Sequence, residues 1–242
     1  MDKLCHHGIL GQRWGIRRYQ NKDGTLTTEG RKRLRLDVYD QDHASDIVLK
    51  KGTKASRVVS IDRYEEFKNP EWGGSDKLAK KYLNDVQSNE RKYDRKYVSV
   101  DGIRNSGRIN GKDFYTSWFT GDGYEPNNAY ITMYELKKDA RVASGKQVVD
   151  ALIKEVGPEK VTNMLKSDKT IKSLTLDYTR DQNLFNKVNK HFIDMGYDAI
   201  EDINDLDTDM PIIVLNSSKT LQEKYTQTGK EALDELFKKY SS

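Results

Sequence analysis

The sequence has a single cysteine, Cys5, which excludes an internal disulfide framework. The fold must rest on packing, and synthesis in a reducing cytoplasm is expected. No apolar run approaches the roughly 20 residues that span a bilayer, and the N-terminus lacks the apolar core of a secretory signal, so no membrane partner is expected. Also missing are a G-x-S-x-G elbow, a Walker loop, an H-E-x-x-H helix, a dinucleotide fingerprint and any internal repeat. Common hydrolase and kinase chemistries therefore find little support.

What is present is 242 residues, 35% hydrophobic and 33% charged, enough for one large or two small domains around a real core. The net charge of +4 is unevenly spread. Residues 1–36 carry nine Lys/Arg against three acids, a net +6, and the remainder is −2. The basic character belongs to the opening segment, which points to an acidic partner there, nucleic acid or the acidic face of another protein.

The hydrophobic pattern divides the chain into residues 1–44, a basic docking or packaging segment; 45–222, a folded domain; and 223–242, a C-terminal helix. Asp23-Gly24 signals a tight turn, and Thr27 or Thr28 is placed to cap a basic helix running to about Asp40. "DQDHAS" reads as a linker. Strands are expected in "IVLKKGTKASRVVSI" on either side of Gly52, in "RKYVSV", "AYITMYEL", "ARVAS", "YDAIED" and "PIIVLN". Residues 63–74 and 102–128 read as loops, with a helix from Ser75 between them. Ser144 and Gln147 form a capping box ahead of Val148, Leu152, Ile153 and Val156. Gly157-Pro158 ends that helix and starts the next. Thr179 and Gln182 repeat the box before a helix that Gly196 closes, and Leu233, Leu236, Phe237 and Tyr240 mark the last helix. Strands and helices do not alternate regularly, so the fold class is α+β.

Cys5, His6 and His7 offer metal ligands, but adjacent ligands leave a four-ligand set incomplete, and His43 and His191 have no paired spacing; no metal is expected. The arginines from Arg13 to Arg35 suit phosphates, with Trp14 or Tyr19 to stack on a base. No nucleic-acid fold pattern accompanies them. A peptide docking on another protein through His6, His7, Trp14, Arg17 and Arg18, with Trp14 as buried anchor, is the stronger reading, and a solvated basic face is the bland one.

Two stretches carry a resemblance. "HHGILGQRWGIRRYQNKDGTLTTEGRKR" resembles an N-terminal motif that recurs on otherwise different proteins encoded in the head and tail modules of phages and prophages of Gram-positive bacteria. The likeness implies a virion-associated or morphogenesis protein, located in the virion, with capsid, portal or other virion proteins as partners through residues 1–40. "KKGTKASRVVS", "KYVSV", "AYITMYELKKDARVAS" and "GYDAIEDINDLDTDMPIIVLNSSKTL", spread over residues 46–222, are similar to the ADP-ribosyltransferase-like domains of phage minor head proteins and polymorphic toxins. That likeness implies a mixed sheet flanked by helices, NAD as cofactor and a host protein as the target of modification.

Carried over residue by residue, Arg57 matches the early-strand arginine that holds NAD and Ser99 the strand serine, with Thr116 and Ser117 as substitutes. Cleaving the glycosidic bond of NAD develops oxocarbenium character at the ribose, which a facing carboxylate stabilises, while a guanidinium grips the pyrophosphate. Where the superfamily usually has its glutamate this chain has Met210 and Pro211. Glu201 is the nominated acid, with Asp202 beside it, Asp209 bordering the position and Asp198 in "GYDAI" reading as a turn residue. The resemblance thus implies either a transferase with Arg57, Ser99 and Glu201 as its catalytic set or a catalytically inactive structural or connector component. A nucleic-acid-binding packaging protein is the third reading.

Overall fold

The computed structural model describes residues 16–21, 23–41, 43–60, 90–100, 129–167, 169–204 and 210–241. Its opening elements are helices α1 (Ile16–Tyr19), α2 (Thr28–Arg33) and α3 (Asp37–Gln41). Then come β1 (Ile47–Leu49), β2 (Lys54–Ser60), β3 (Lys96–Val100), β4 (Ala129–Leu136) and β5 (Ala140–Ala143). Three helices follow: α4 (Gly145–Lys166), α5 (Ile171–Arg180) and α6 (Gln182–Asp194). The chain closes with β6 (Ala199–Glu201), β7 (Met210–Val214), α7 (Ser217–Thr220), β8 (Leu221–Thr228) and α8 (Gly229–Tyr240).

The strands form one eight-stranded mixed sheet in the order β1-β5-β6-β7-β3-β2-β4-β8, so the α+β expectation holds. Among the described strands only β5 and β6 pair in parallel, and α4 to α6 supply their crossover. One face of the sheet, through Ala143, Ile200 and Ile213, packs against Val148, Val149, Leu152, Leu174, Tyr178, Phe185 and Phe192 of those helices. The other face holds a second cluster that joins Leu49 of β1 to Leu136 and Leu221 of β4 and β8; the sheet curls around it. A small third cluster, Ile131 and Met133 with Ala232, seats α8 on the helix-bearing face.

Local signals explain most boundaries. Ser144 and Gln147 cap α4 reciprocally, and Gly157 (φ +82°) with Pro158 breaks that helix into two runs. Gly196 (φ +79°) ends α6 with Tyr197 N–H donating to the Phe192 carbonyl, a left-handed cap. Asp181, rather than Thr179, is the N-cap of α6, accepting from the N–H groups of Asn183 and Leu184.

The expected single helix from Thr27 to Asp40 is two helices. Arg35 sits at φ +60°, and the turn it makes aims both Leu34 and Leu36 into the core, which one continuous helix face could not do. Those two leucines, fully buried, and Tyr39 belong to the same core cluster as α4 and α5. The boundary at residue 44 therefore does not separate two cores. "DQDHAS" is likewise no free linker, since His43 is buried. Nor is 223–242 a helix alone: it begins inside β8, whose solvent-facing polar run hides its strand character from sequence.

The Asp23-Gly24 turn is present, with Gly24 at φ +85° and a bridge between Gln20 and Leu26. Behind it, Thr27 caps α2 by accepting from Gly30 N–H and donates its own hydroxyl to the Arg18 carbonyl at 2.6 Å. A Cβ at Gly30 would lie 2.0 Å from the Tyr19 carbonyl oxygen, backbone that cannot yield. Gly30→Ala is expected to cost about 2–3 kcal/mol in chemical denaturation; an unchanged midpoint would contradict this packing of α1 on α2.

Candidate functional site

The residues nominated from sequence occupy three separate surroundings. Arg57, on β2, follows Ser56, which pairs with Ser99 on β3, so period-two alternation turns Ser56 and Ser99 to the helix-bearing face and Arg57 to the other. Arg57 donates from Nη1 to Glu90 Oε2 at 2.5 Å in a largely buried ion pair, Glu90 coming from the helical turn before β3. Ser99 is 2% exposed, and its hydroxyl, like that of Ser56, is buried without a hydrogen-bond partner.

Glu201 lies on β6, with β7 and β3 between it and β2, three strand spacings or roughly 14 Å. Its Oε2 accepts the Gly145 N–H at 2.7 Å and lies 3.0 Å from His43 Nδ1. Both side chains are about 5% exposed or less. The carboxylate thus sits at the N-terminus of α4, where unpaired N–H groups and the helix dipole favour an anion. Glycine leaves room for this contact, since a Cβ at 145 would come within 2.8 Å of that oxygen and 3.1 Å of His43 Cβ, and the carboxylate would have to shift.

The other acids are tied to backbone. Asp198 accepts from Arg141 N–H and Lys138, as its reading as a turn residue anticipated. Asp202 accepts from Asn204 N–H, and its charge adds to burial in pushing the Tyr39 phenol up to about 12. His6, His7, Trp14, Thr116, Ser117 and Asp209 lie outside the described residues. Of the docking residues, Arg17 belongs to α1, and Arg18 is exposed, 3.9 Å from Glu29.

The described half of the basic segment is fastened to the domain. Arg31 holds Asp40 in a bidentate pair and reaches Asp150 on α4 with Nη1 at 2.5 Å. Burial lowers the pKa of that guanidinium, and its hydrogen bonds to Asp40 and Asp150 outweigh burial to leave it raised. Gln20 accepts from the Thr162 hydroxyl at 2.8 Å, and Tyr39 donates its hydroxyl to the Ile203 carbonyl at 2.8 Å. Arginines read as phosphate ligands are here partly spent on acids of the same chain.

Two largely buried charged groups, Glu90 and Arg95, were not singled out from the sequence. Arg95, directly before β3, is 4% exposed, packed between the rings of Tyr93 and Phe185. The signal was the alternation Arg95, Tyr97, Ser99, which puts three polar-tipped residues on one strand face. Among the described residues no group of three or more His, Cys, Asp or Glu is arranged to hold a metal, and no helix is long and apolar enough to cross a membrane.

No family model, curated protein or solved structure matches this chain. Function must be argued from the geometry itself.

Proposed function

We propose that the chain is a structural or connector component of a phage particle, docked to capsid, portal or another virion protein through its N-terminal segment, and that Arg57, Ser99 and Glu201 do not form an NAD site in it. The segment's likeness to a phage virion-module motif supports the first half. The observation that carries the second is the commitment of Glu201 to His43 and the first turn of α4. A carboxylate enclosed there cannot face a ribose. Arg57, held by Glu90, has its charge compensated, and Ser99 faces the opposite side of the sheet. An ADP-ribosyltransferase acting on a host protein would need all three to regroup. A nucleic-acid-binding role rests on the +6 segment, in which Arg31 is committed to Asp40 and Asp150 and Arg18 lies near Glu29.

Two measurements test the reading. Incubation of the intact chain with labelled NAD and a host lysate is expected to give no label transfer and no NAD loss, unchanged in Arg57→Ala. In the same preparations the chain is expected to be retained on purified capsids or portal but not on duplex DNA. NAD consumption that disappears in Arg57→Ala would establish the enzyme instead, and salt-sensitive DNA retention without particle binding would establish the packaging role.

A further inference from the structure

The basic opening segment has a counterpart inside the domain. Residues 37–242 balance to −2, yet three turns concentrate lysine: Lys50, Lys51 and Lys54 around the β1–β2 turn, Lys137 and Lys138 between β4 and β5, and Lys219 in α7. Backbone hydrogen bonds bring these turns together. Gly52 N–H donates to the Leu136 carbonyl at 2.9 Å, Leu136 N–H to the Thr53 carbonyl at 3.0 Å, and Lys137 N–H to the Thr220 carbonyl at 2.9 Å. All six lysines are exposed. A Cβ at Gly52 would meet nothing within 4 Å, so the tip of the first turn stands clear.

The acids among them are fewer and already engaged. Asp139 accepts from Lys50 Nζ at 2.9 Å and from Lys51 N–H at 2.8 Å, Asp198 from Lys138 and Arg141 N–H, and Asp94 from the hydroxyls of Ser217 and Ser218. Glu135, opposite Lys54 in the β2–β4 register, forms its ion pair with Lys224 instead, at 3.1 Å. Lys137 donates to the Ser218 carbonyl at 2.7 Å. Lys51, Lys54 and Lys219 are left without an ion pair among the described residues, Lys219 acting on Asp94 only through space. Like charges gathered in this way repel one another and lower folding stability, while they raise the local concentration of an anionic partner and its association rate.

The composition of the turns narrows the partner. Residues 50–54, 137–139 and 217–219 include neither arginine nor an aromatic, the side chains that grip phosphates in bidentate fashion and stack on bases. Asp139 and Asp198 stay fixed between the lysines. A uniformly anionic phosphate backbone would be repelled by those carboxylates, whereas a protein face can answer them with cations of its own. We propose that this lysine face is a steering surface for the acidic, mixed-charge face of a protein. The identity of that partner rests on the function proposed above, which makes it the particle protein on which the chain docks. The face acts on association rate, because hydrated, flexible lysines guide encounter and contribute little to the packed centre of an interface.

Association of the full chain with purified capsids or portal, followed by surface plasmon resonance at low and high salt, tests the proposal. The triple variant Lys51→Glu, Lys54→Glu, Lys219→Glu is expected to lower the low-salt on-rate about tenfold and to flatten its salt dependence, with the off-rate changed less than about twofold. The three replaced side chains make no hydrogen bond or ion pair among the described residues, so the variant should keep the wild-type Tm. The corresponding glutamine triple should give an intermediate on-rate. Lys154→Glu, Lys172→Glu, Lys230→Glu, at exposed lysines of α4, α5 and α8, makes the same charge change elsewhere and is expected to alter the on-rate less than about threefold. Particle binding with equal on-rates in the wild type and the first triple variant would overturn the steering surface and leave the docking function standing. An equal loss in the second triple variant would overturn it as well, as an effect of net charge alone. Wild-type chain that does not bind particles would remove the docking function and this surface with it. Retention on duplex DNA that disappears in the first triple variant would assign the face to a phosphate backbone instead.

Discussion

Glu201→Ala is expected to lower folding stability by about 3–5 kcal/mol, read as a fall in the urea midpoint with an unchanged slope. The substitution leaves His43 buried without its carboxylate and the Gly145 N–H without its acceptor, at a place where the N-terminal segment, β6 and α4 meet. Losing one member of a buried hydrogen-bonded pair costs far more than the pair contributes, because the remaining polar group stays desolvated. A catalytic acid behaves in the opposite way. Held in a site for chemistry rather than for packing, it can usually be removed with little loss of stability and sometimes a gain. The experiment therefore separates the two roles of Glu201 without any assay of activity. A variant as stable as the wild type would remove the structural role and return this residue to the catalytic list.

The fold was legible wherever a local rule decided it. The capping box at Ser144, the Gly157-Pro158 break, the Gly196 cap, the alternation in β4 and the continuous apolar run of β7 can each be read within a few residues. What escaped was set by long-range partners. "DQDHAS" has the composition of a linker, and nothing local says that His43 will meet a glutamate 158 positions on. β8 escaped because five successive exposed residues, Gln222 to Thr226, show no apolar face; only pairing with β4 makes them a strand. The candidate site divides in the same way. Residue types and order suggest Arg57, Ser99 and Glu201 as a set, but strand order and alternation decide whether such residues converge, and here Ser56 pairs with Ser99 while Arg57 points away. Glu90, the acid that does meet Arg57, lies in a stretch with no motif to single it out.

The basic segment gives the sharpest contrast between a tag and a structural element. Leu36→Ala is expected to cost about 3 kcal/mol, and a chain beginning at residue 45 is expected to lose its cooperative thermal transition and near-UV circular dichroism. Leu34 and Leu36 are fully buried and Tyr39 nearly so, all in one cluster with Val148, Leu152 and Leu174. Two leucine-sized cavities at about 2–5 kcal/mol each, with the loss of Tyr39 and of the partner to Glu201, approach the whole stability of a typical domain, about 5–15 kcal/mol. An appended docking peptide predicts the reverse: a truncated chain with an unchanged Tm that has merely lost its partner. If the truncated chain melts cooperatively at the wild-type temperature, the packing of residues 16–43 contributes nothing to the fold. If it does not, the second half of the motif, from the Asp23-Gly24 turn through Arg31, together with Leu34 and Leu36 just after it, is an anchor within the domain's own core. Under the proposed docking role, recognition of a particle protein would then fall to the residues ahead of that anchor, His6, His7 and Trp14 among them, and a partner-binding assay should use point substitutions there in the intact chain rather than deletion of the segment.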